Sequence, residues 1–303
     1  MVRMNKLPPE KRAQVLHLLC EGSSMRAITR ITGASKNAVA RLLVTAGKAC
    51  NEYQDRALVN LPCKRIQVDE IWAFTHCKQS TVATAKAAPR DAGDTWTWTA
   101  ICADTKLMPS WYVGSRDTES AMMFMDDLAK RLASRVQLTS DGHRPYLEAV
   151  EGAFGGDIDY AILHKIYGQA PEGQRRYSPP TCIGAVGKRI EGKPDPRHIS
   201  TSYVERANLT IRMHSRRFTR LTNAFSKKAE NHAHAFALHA MYYNFVRIHQ
   251  TLRVTPAMAA KVTAQLWEMS DIVAVIEAWE SEHYRKLNTA TLAARTETKA
   301  LFS

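Results

Sequence analysis

No window of 18 apolar residues occurs in this chain, so no membrane-crossing helix is expected. The start, Met1-Val2-Arg3-Met4-Asn5-Lys6, runs into Leu7-Pro8-Pro9 without the apolar stretch of a signal peptide. None of the six cysteines (Cys20, Cys50, Cys63, Cys77, Cys102, Cys182) stands in a CxxC pair, which argues against a zinc ribbon or finger. Scattered thiols in a chain of 303 residues fit a reducing cytoplasm. There are no internal repeats. Acid is scarce as well: 29 Asp and Glu face 42 Lys and Arg, for a net charge of +13. Such a balance points to a polyanionic partner or a membrane surface and says nothing about fold. Hydrophobic content of 45% and charged content of 23% are those of a globular protein. The length suffices for a sizeable core and two or three domains.

The positive charge is gathered in two places. Residues 1–65 hold twelve Lys or Arg against four Asp or Glu, and residues 175–230 hold thirteen against four. The rest of the chain is mildly acidic. Two basic stretches around an acidic centre fit nucleic acid gripped on both sides of a metal site.

Residues 9–46 read as three short helices. Pro9 suits a first helical position, and Val15, Leu18 and Leu19 mark one face. Gly22 ends that helix, Ser24 caps the next with Ile28 and Ile31 inward, and Gly33 makes the turn. Ser35 caps a third helix, on which Val39, Leu42 and Leu43 pack at i, i+3, i+4 spacing. This is the pattern of a helix-turn-helix domain over residues 1–48. Ser35, Lys36, Asn37 and Arg41 then stand at the exposed start of its last helix, and Asn and Arg read adenine and guanine edges in a major groove. Residues 49–64 read as a linker.

From Arg65 the pattern turns β-prone. Arg65 to Cys77 is one strand, the alternating Thr95-Trp96-Thr97-Trp98-Thr99-Ala100-Ile101 a second, and Met108 to Val113 a third. A helix follows from Asp117 or Thr118 to about Ser134, with Met122, Met125 and Leu128 inward. Then come a strand at Val136 to Thr139, a helix over 145–154 and a strand from Asp159 to Ile166. This order predicts an α/β fold with an RNase H-like core, a mixed five-stranded sheet flanked by helices, over residues 65–250. Within it, 168–200 reads as a basic Pro/Gly-rich loop, where Tyr177 and nearby arginines could follow a DNA backbone. Helices over 201–217 and about 227–247 come next. Residues 251–303 form a helical C-terminal extension whose end, from about Lys286, reads as frayed.

Three acids stand at the edges of these elements. Asp69 lies in a β-prone, otherwise apolar segment, where an unpaired carboxylate needs a partner or a metal. Asp141 follows a strand and precedes Gly142, a position that also suits a turn. Glu205 lies in Ser202-x-x-Glu205, which reads equally as a capping box. If the three converge, they hold two Mg²⁺ ions about 3.5–4 Å apart, with Mn²⁺ able to substitute, and such a pair neutralises a phosphodiester and activates a water or 3′-hydroxyl. Neighbouring acids have plainer readings. Glu70 points to the opposite strand face from Asp69, Asp104 suits a hairpin end, and Asp126 and Asp127 suit a solvated helix face. Arg206, Asn208, Arg212, Arg216, Arg217 and Arg220 read as grips on a phosphate backbone.

The segments Val68-Asp69-Glu70-Ile71-Trp72-Ala73-Phe74, Thr139-Ser140-Asp141-Gly142, Ser202-Tyr203-Val204-Glu205-Arg206-Ala207-Asn208-Leu209-Thr210-Ile211-Arg212, Arg220-Leu221-Thr222-Asn223-Ala224-Phe225-Ser226-Lys227 and Tyr243-Asn244-Phe245-Val246-Arg247-Ile248-His249 resemble DDE transposases, most closely the family of the bacterial insertion sequence one. The resemblance covers about residues 10–260. It implies catalysis by Asp69, Asp141 and Glu205, Mg²⁺ dependence, strand cleavage at element ends and transfer of a 3′-hydroxyl into target DNA. It further implies double-stranded DNA as partner, a dimer or higher oligomer in the synaptic complex, and work at the nucleoid in the cytoplasm. Members often carry a cysteine finger ahead of the helix-turn-helix, which this chain lacks, and residues past about 265, with Trp267 and Trp279, match no part of the family. Two other functions fit the same residues: a DNA-binding protein that no longer cuts, and an RNase H-type nuclease without strand transfer.

Overall fold

A computed structural model describes residues 6–168, 180–219 and 223–301, without the side chains of 287–301. The chain opens with α1 (Pro9–Cys20), α2 (Met25–Thr32) and α3 (Lys36–Ala57). Local chemistry sets their ends. The Ser24 hydroxyl accepts from the Ala27 N–H at 3.1 Å and the Ser35 hydroxyl from the Ala38 N–H at 3.2 Å. Gly33 closes α2 in the left-handed region, at φ 71°. Ile28 is buried, but Ile31 is 57% exposed rather than inward. Thr32, at i+4 from Ile28, fills that inner position and bonds back to the Ile28 carbonyl. α3 runs on to Ala57, so much of the stretch expected as a linker is helix.

The sheet follows: β1 (Arg65–Thr75), β2 (Gly93–Cys102), β3 (Trp111–Gly114), α4 (Thr118–Arg131), β4 (Gln137–Ser140), α5 (Pro145–Phe154), β5 (Asp159–Tyr167) and β6 (Cys182–Glu191). The strand order is β3-β2-β1-β4-β5-β6. β1, β2 and β3 form an antiparallel meander, while β4 lies parallel to β1 and β5 parallel to β4. That is the RNase H-like arrangement expected from the element order, with one strand more than expected. β6 pairs antiparallel with β5 inside the stretch read as a loop. It is an edge strand exposed along most of its length, so it shows no apolar alternation. Tyr177 lies outside the described residues.

Helices cover both faces. On one, Ile66, Val68, Trp98 and Ala100 pack with Phe124, Met125 and Leu128 of α4 and Tyr146 of α5. Met122, expected inward, faces solvent. On the other face, Ile71, Ala73 and Ile101 pack beneath α6 (Ser202–His214) and α7 (Ala229–Met241). α8 (Pro256–Ala259) is capped by Thr255. α9 (Met269–Leu301) is helical past Lys286, where fraying was expected.

α9 docks on the N-terminal helices. Just before it, Trp267 packs at a tilt against Tyr53 and Phe245, and within it the Trp279 indole donates to Glu52 at 2.7 Å. Arg12 of α1, nearly fully buried, pairs with Glu277 at 3.2 Å and Glu280 at 3.3 Å. α3 packs on α7 closely enough that a methyl group at Gly47 would stand 2.4 Å from the His234 Cβ.

Two buried histidines of α7 set the acid response. Burial, then the Arg217 charge, pushes His232 down to about 3. Burial, then the charges of His214 and Arg247, pushes His239 down to about 3. Between pH 6.5 and 3 the unfolded chain takes up protons that the fold refuses, so each ring removes about 1.4 kcal/mol of stability per pH unit as pH falls. Neither ring nitrogen of His239 has a hydrogen-bond partner, so His239→Phe should cost little at pH 7 and flatten the loss between pH 6.5 and 5. Urea unfolding of both proteins at those pH values checks this.

Candidate active site

The site forms where β1 outruns β4. β1 pairs with β2 along ten positions, from Ile66 to Thr75. It pairs with β4 only from Arg65 to Gln67. Beyond Gln67, one side of β1 is therefore open, and Asp69 and Glu70 flank the opening. Asp141 enters it directly from the end of β4. Its carboxylate accepts the His143 N–H at 2.9 Å, while the Ser140 hydroxyl donates to its carbonyl at 2.8 Å and bonds Tyr160 at 2.7 Å.

Asp69 and Glu70 point to opposite faces, as alternation requires. Asp69 meets α6, where the Asn208 amide donates to it at 2.8 Å. Glu70 meets α5 and the segment before α4, where the Arg116 guanidinium donates to its Oε2 at 3.1 and 3.2 Å. Even so, one carboxylate oxygen from each of Asp69, Glu70 and Asp141 lies within 4.8 Å of the other two. Glu70 is thus part of the cluster from which strand alternation would exclude it, because both faces border the gap at the end of β4.

Packing like charges in a half-dry site is costly. Burial, followed by the Asp141 charge, pushes Asp69 up to about 6, against hydrogen bonds from the Glu70 backbone and Asn208, with Glu205 adding to the rise. Burial raises Glu70 to about 7, with Asp141 and Asp69 adding to the rise and Arg116 opposing it. The Tyr146 phenol tempers this from nearby, without a hydrogen bond of good geometry. Three hard oxygen donors under mutual repulsion, one buried oxygen of Glu70 lacking any partner, fit a hard divalent cation.

Glu205 approaches from α6. The helix begins at Ser202 with Thr201 as its cap residue, so the expected Ser202 capping box does not form. Instead the Gln67 side-chain oxygen Oε1 accepts from the N–H groups of Tyr203 at 2.8 Å and Val204 at 3.2 Å. Glu205 accepts from the Thr201 hydroxyl and from Lys165 of β5. It is close enough to raise Asp69 but is not one of the three clustered acids.

The expected DNA contacts divide. Ser35, Lys36, Asn37 and Arg41 are exposed at the start of α3, and Arg206 and Arg216 are exposed too. Asn208 is 7% exposed and committed to Asp69 and Thr99, so it orients a carboxylate and does not face a DNA backbone. Arg212 is half-buried and donates to the Phe218 carbonyl at 3.3 Å. Arg217 is half-buried and bonds the Ser226 hydroxyl at 2.7 Å. Arg220 lies outside the described residues. Asp104 pairs with Arg65 at the far end of β1. Gln67, Arg116, Tyr146 and Lys165 carry no sequence signal, since each acts through a partner distant along the chain.

No protein-family model matches the chain, and no curated protein does. Among solved structures it is similar to the crystal structure of the Mos1 strand transfer complex, at 14% identity and a TM-score of 0.23 over 53% of this chain and 60% of that one. It is also similar to the cryo-EM structure of the piggyBac transposase synaptic complex with hairpin DNA, at 10% identity and a TM-score of 0.36 over 92% of this chain and 72% of that one. The chain thus spans less than two thirds of the first.

Raised acids destabilise the fold when ionised. For Glu70 the penalty is fully present above pH 7, where the group is charged in both states, and disappears below pH 4.5. Glu70→Gln should therefore stabilise the metal-free protein at pH 8, by about 3 kcal/mol at most, and have little effect near pH 4.5. Urea midpoints in chelator at the two pH values test the sign.

Proposed function

We propose that this protein is a DNA transposase of the insertion-sequence-one type, which cleaves element ends and joins the 3′-hydroxyl to target DNA. The observation that carries the reading is the meeting of Asp69 and Asp141, from neighbouring strands, at the open side of β1, with Glu205 beside them on a helix anchored to Gln67. Asp69, Asp141 and Glu205 are the residues that would hold Mg²⁺ or Mn²⁺. When bound, such ions neutralise the phosphodiester and lower the pKa of an attacking hydroxyl.

The protein's own groups do the positioning. Asn208 fixes the rotamer of Asp69 through a charge-assisted bond. Ser140 and the His143 N–H fix Asp141 at the strand end. Lys165 holds Glu205 and brings a positive charge to the rim, where a phosphate can compete for it. Ser35, Lys36, Asn37 and Arg41 on α3 read element ends, while Arg206 and Arg216 hold the backbone beside the carboxylates. Synapsis of two ends requires at least two copies, working on DNA in the cytoplasm.

The test is a strand-transfer assay with purified protein, Mg²⁺ and DNA carrying the sequences that flank its own gene. Joined products are expected. Asp69→Ala, Asp141→Ala and Glu205→Ala should reduce joining to background. Asn208→Ala should reduce it about 10- to 100-fold, as loss of a ligand-orienting partner does. Cleavage without joining would assign an RNase H-type nuclease instead. Binding without cleavage would leave a DNA-binding protein.

A further inference from the structure

The Glu70 side chain is 1% exposed, and its two oxygens are treated very differently. Oε2 takes both donors of Arg116, whose guanidinium also lies 4.7 Å from the Trp96 ring centre and is held there. Oε1 is buried and has no partner. Near the Glu70 carboxylate stands the hydroxyl of Tyr146, a residue that is 0% exposed, without a hydrogen bond of good geometry. Leaving a buried polar atom unpaired is costly. The Glu70 oxygen left free in this way belongs to the carboxylate cluster and can take a ligand.

We infer that Glu70 is the third ligand of a first cation position, so that one divalent ion binds between Asp69, Glu70 and Asp141 before DNA arrives and without Glu205. Three carboxylates against the Arg116 charge leave an excess of two negative charges, which one dication cancels. The ligand oxygens lie within 4.8 Å of one another. Oxygens bound to one Mg²⁺ at about 2.1 Å stand no more than about 4.2 Å apart, so the ion need draw them in by well under 1 Å. With the ion in place, the Tyr146 hydroxyl would donate to Glu70. Glu205 is not among the clustered acids, and Lys165 and Thr201 hold its Oε1. The later use of the ions rests on the transposase reading. Occupancy of the first position does not, since it is measured without DNA.

The experiment is Mn²⁺ titration of the full chain at pH 7.5, DNA-free, read by calorimetry and by the electron paramagnetic resonance of free Mn²⁺. One tight ion per chain is expected. Glu70→Gln, which keeps the shape and the Arg116 contact, should weaken it at least about tenfold. Glu70→Asp, which withdraws the carboxylate by one methylene, should weaken it less. Glu205→Gln should lose strand transfer yet retain the tight ion. Thermal melting in chelator confirms that each variant folds. Unchanged Mn²⁺ affinity in folded Glu70→Gln overturns the inference. So does loss of the tight ion in Glu205→Gln, or its absence from the parent protein. Failure of the transposase reading looks different: the tight ion binds and no joined product forms.

Discussion

The side-chain carbonyl of Gln67 holds the two halves of the site together. A helix leaves its first N–H groups open, and here the cap for two of them comes from the central strand, not from the helix's own sequence. Two residues further along the same face of β1, Asp69 takes the Asn208 amide. α6 is therefore pinned to β1 at two points, its first turn and the turn beyond Glu205. That sets both its height and its roll, and leaves Glu205 only the direction toward Asp69 and Lys165. No single bond here is worth much more than about 1 kcal/mol net. Their value lies in fixing one geometry among several that apolar packing alone would tolerate.

The second constraint is the shortness of β4. Were β4 to continue alongside β1, backbone hydrogen bonds would seal the gap and Asp69 and Glu70 would be kept apart by the sheet. Its four residues instead end level with the start of the acidic pair. Acids from both faces reach one opening, and the cost appears in Asp69 near 6 and Glu70 near 7. A site that raises its own carboxylates in this way is short of positive charge, which is why a cation fits it so readily.

Much of the fold was legible because its signals are local. Ser24, Gly33, Ser35 and Asp117 act on backbone within four residues, and their effects can be read from the chain directly. Alternation in Thr95–Ile101 identifies β2 because one face of the sheet is read at a time. β6 was hidden by its exposure, since an edge strand need bury nothing. Glu70 was set aside by a correct rule whose premise, a closed sheet, fails where β4 ends. Asn208 looked like one more polar residue among arginines. Only contact with Asp69, 139 positions away, reveals its task. The docking of α9 was illegible for the same reason, as Trp279 and Glu277 act on residues far behind them in sequence.

That last contact has a consequence in time. Arg12 is buried against Glu277 and Glu280, and the partner Glu277 lies 265 residues later. Burying a guanidinium without a counter-charge is costly. During synthesis, Arg12 therefore stays solvated until α9 has been made. A nascent chain stopped short of α9 would hold α1 and α3 without the packing that α9 supplies, so their firm placement relative to the sheet depends on that late helix.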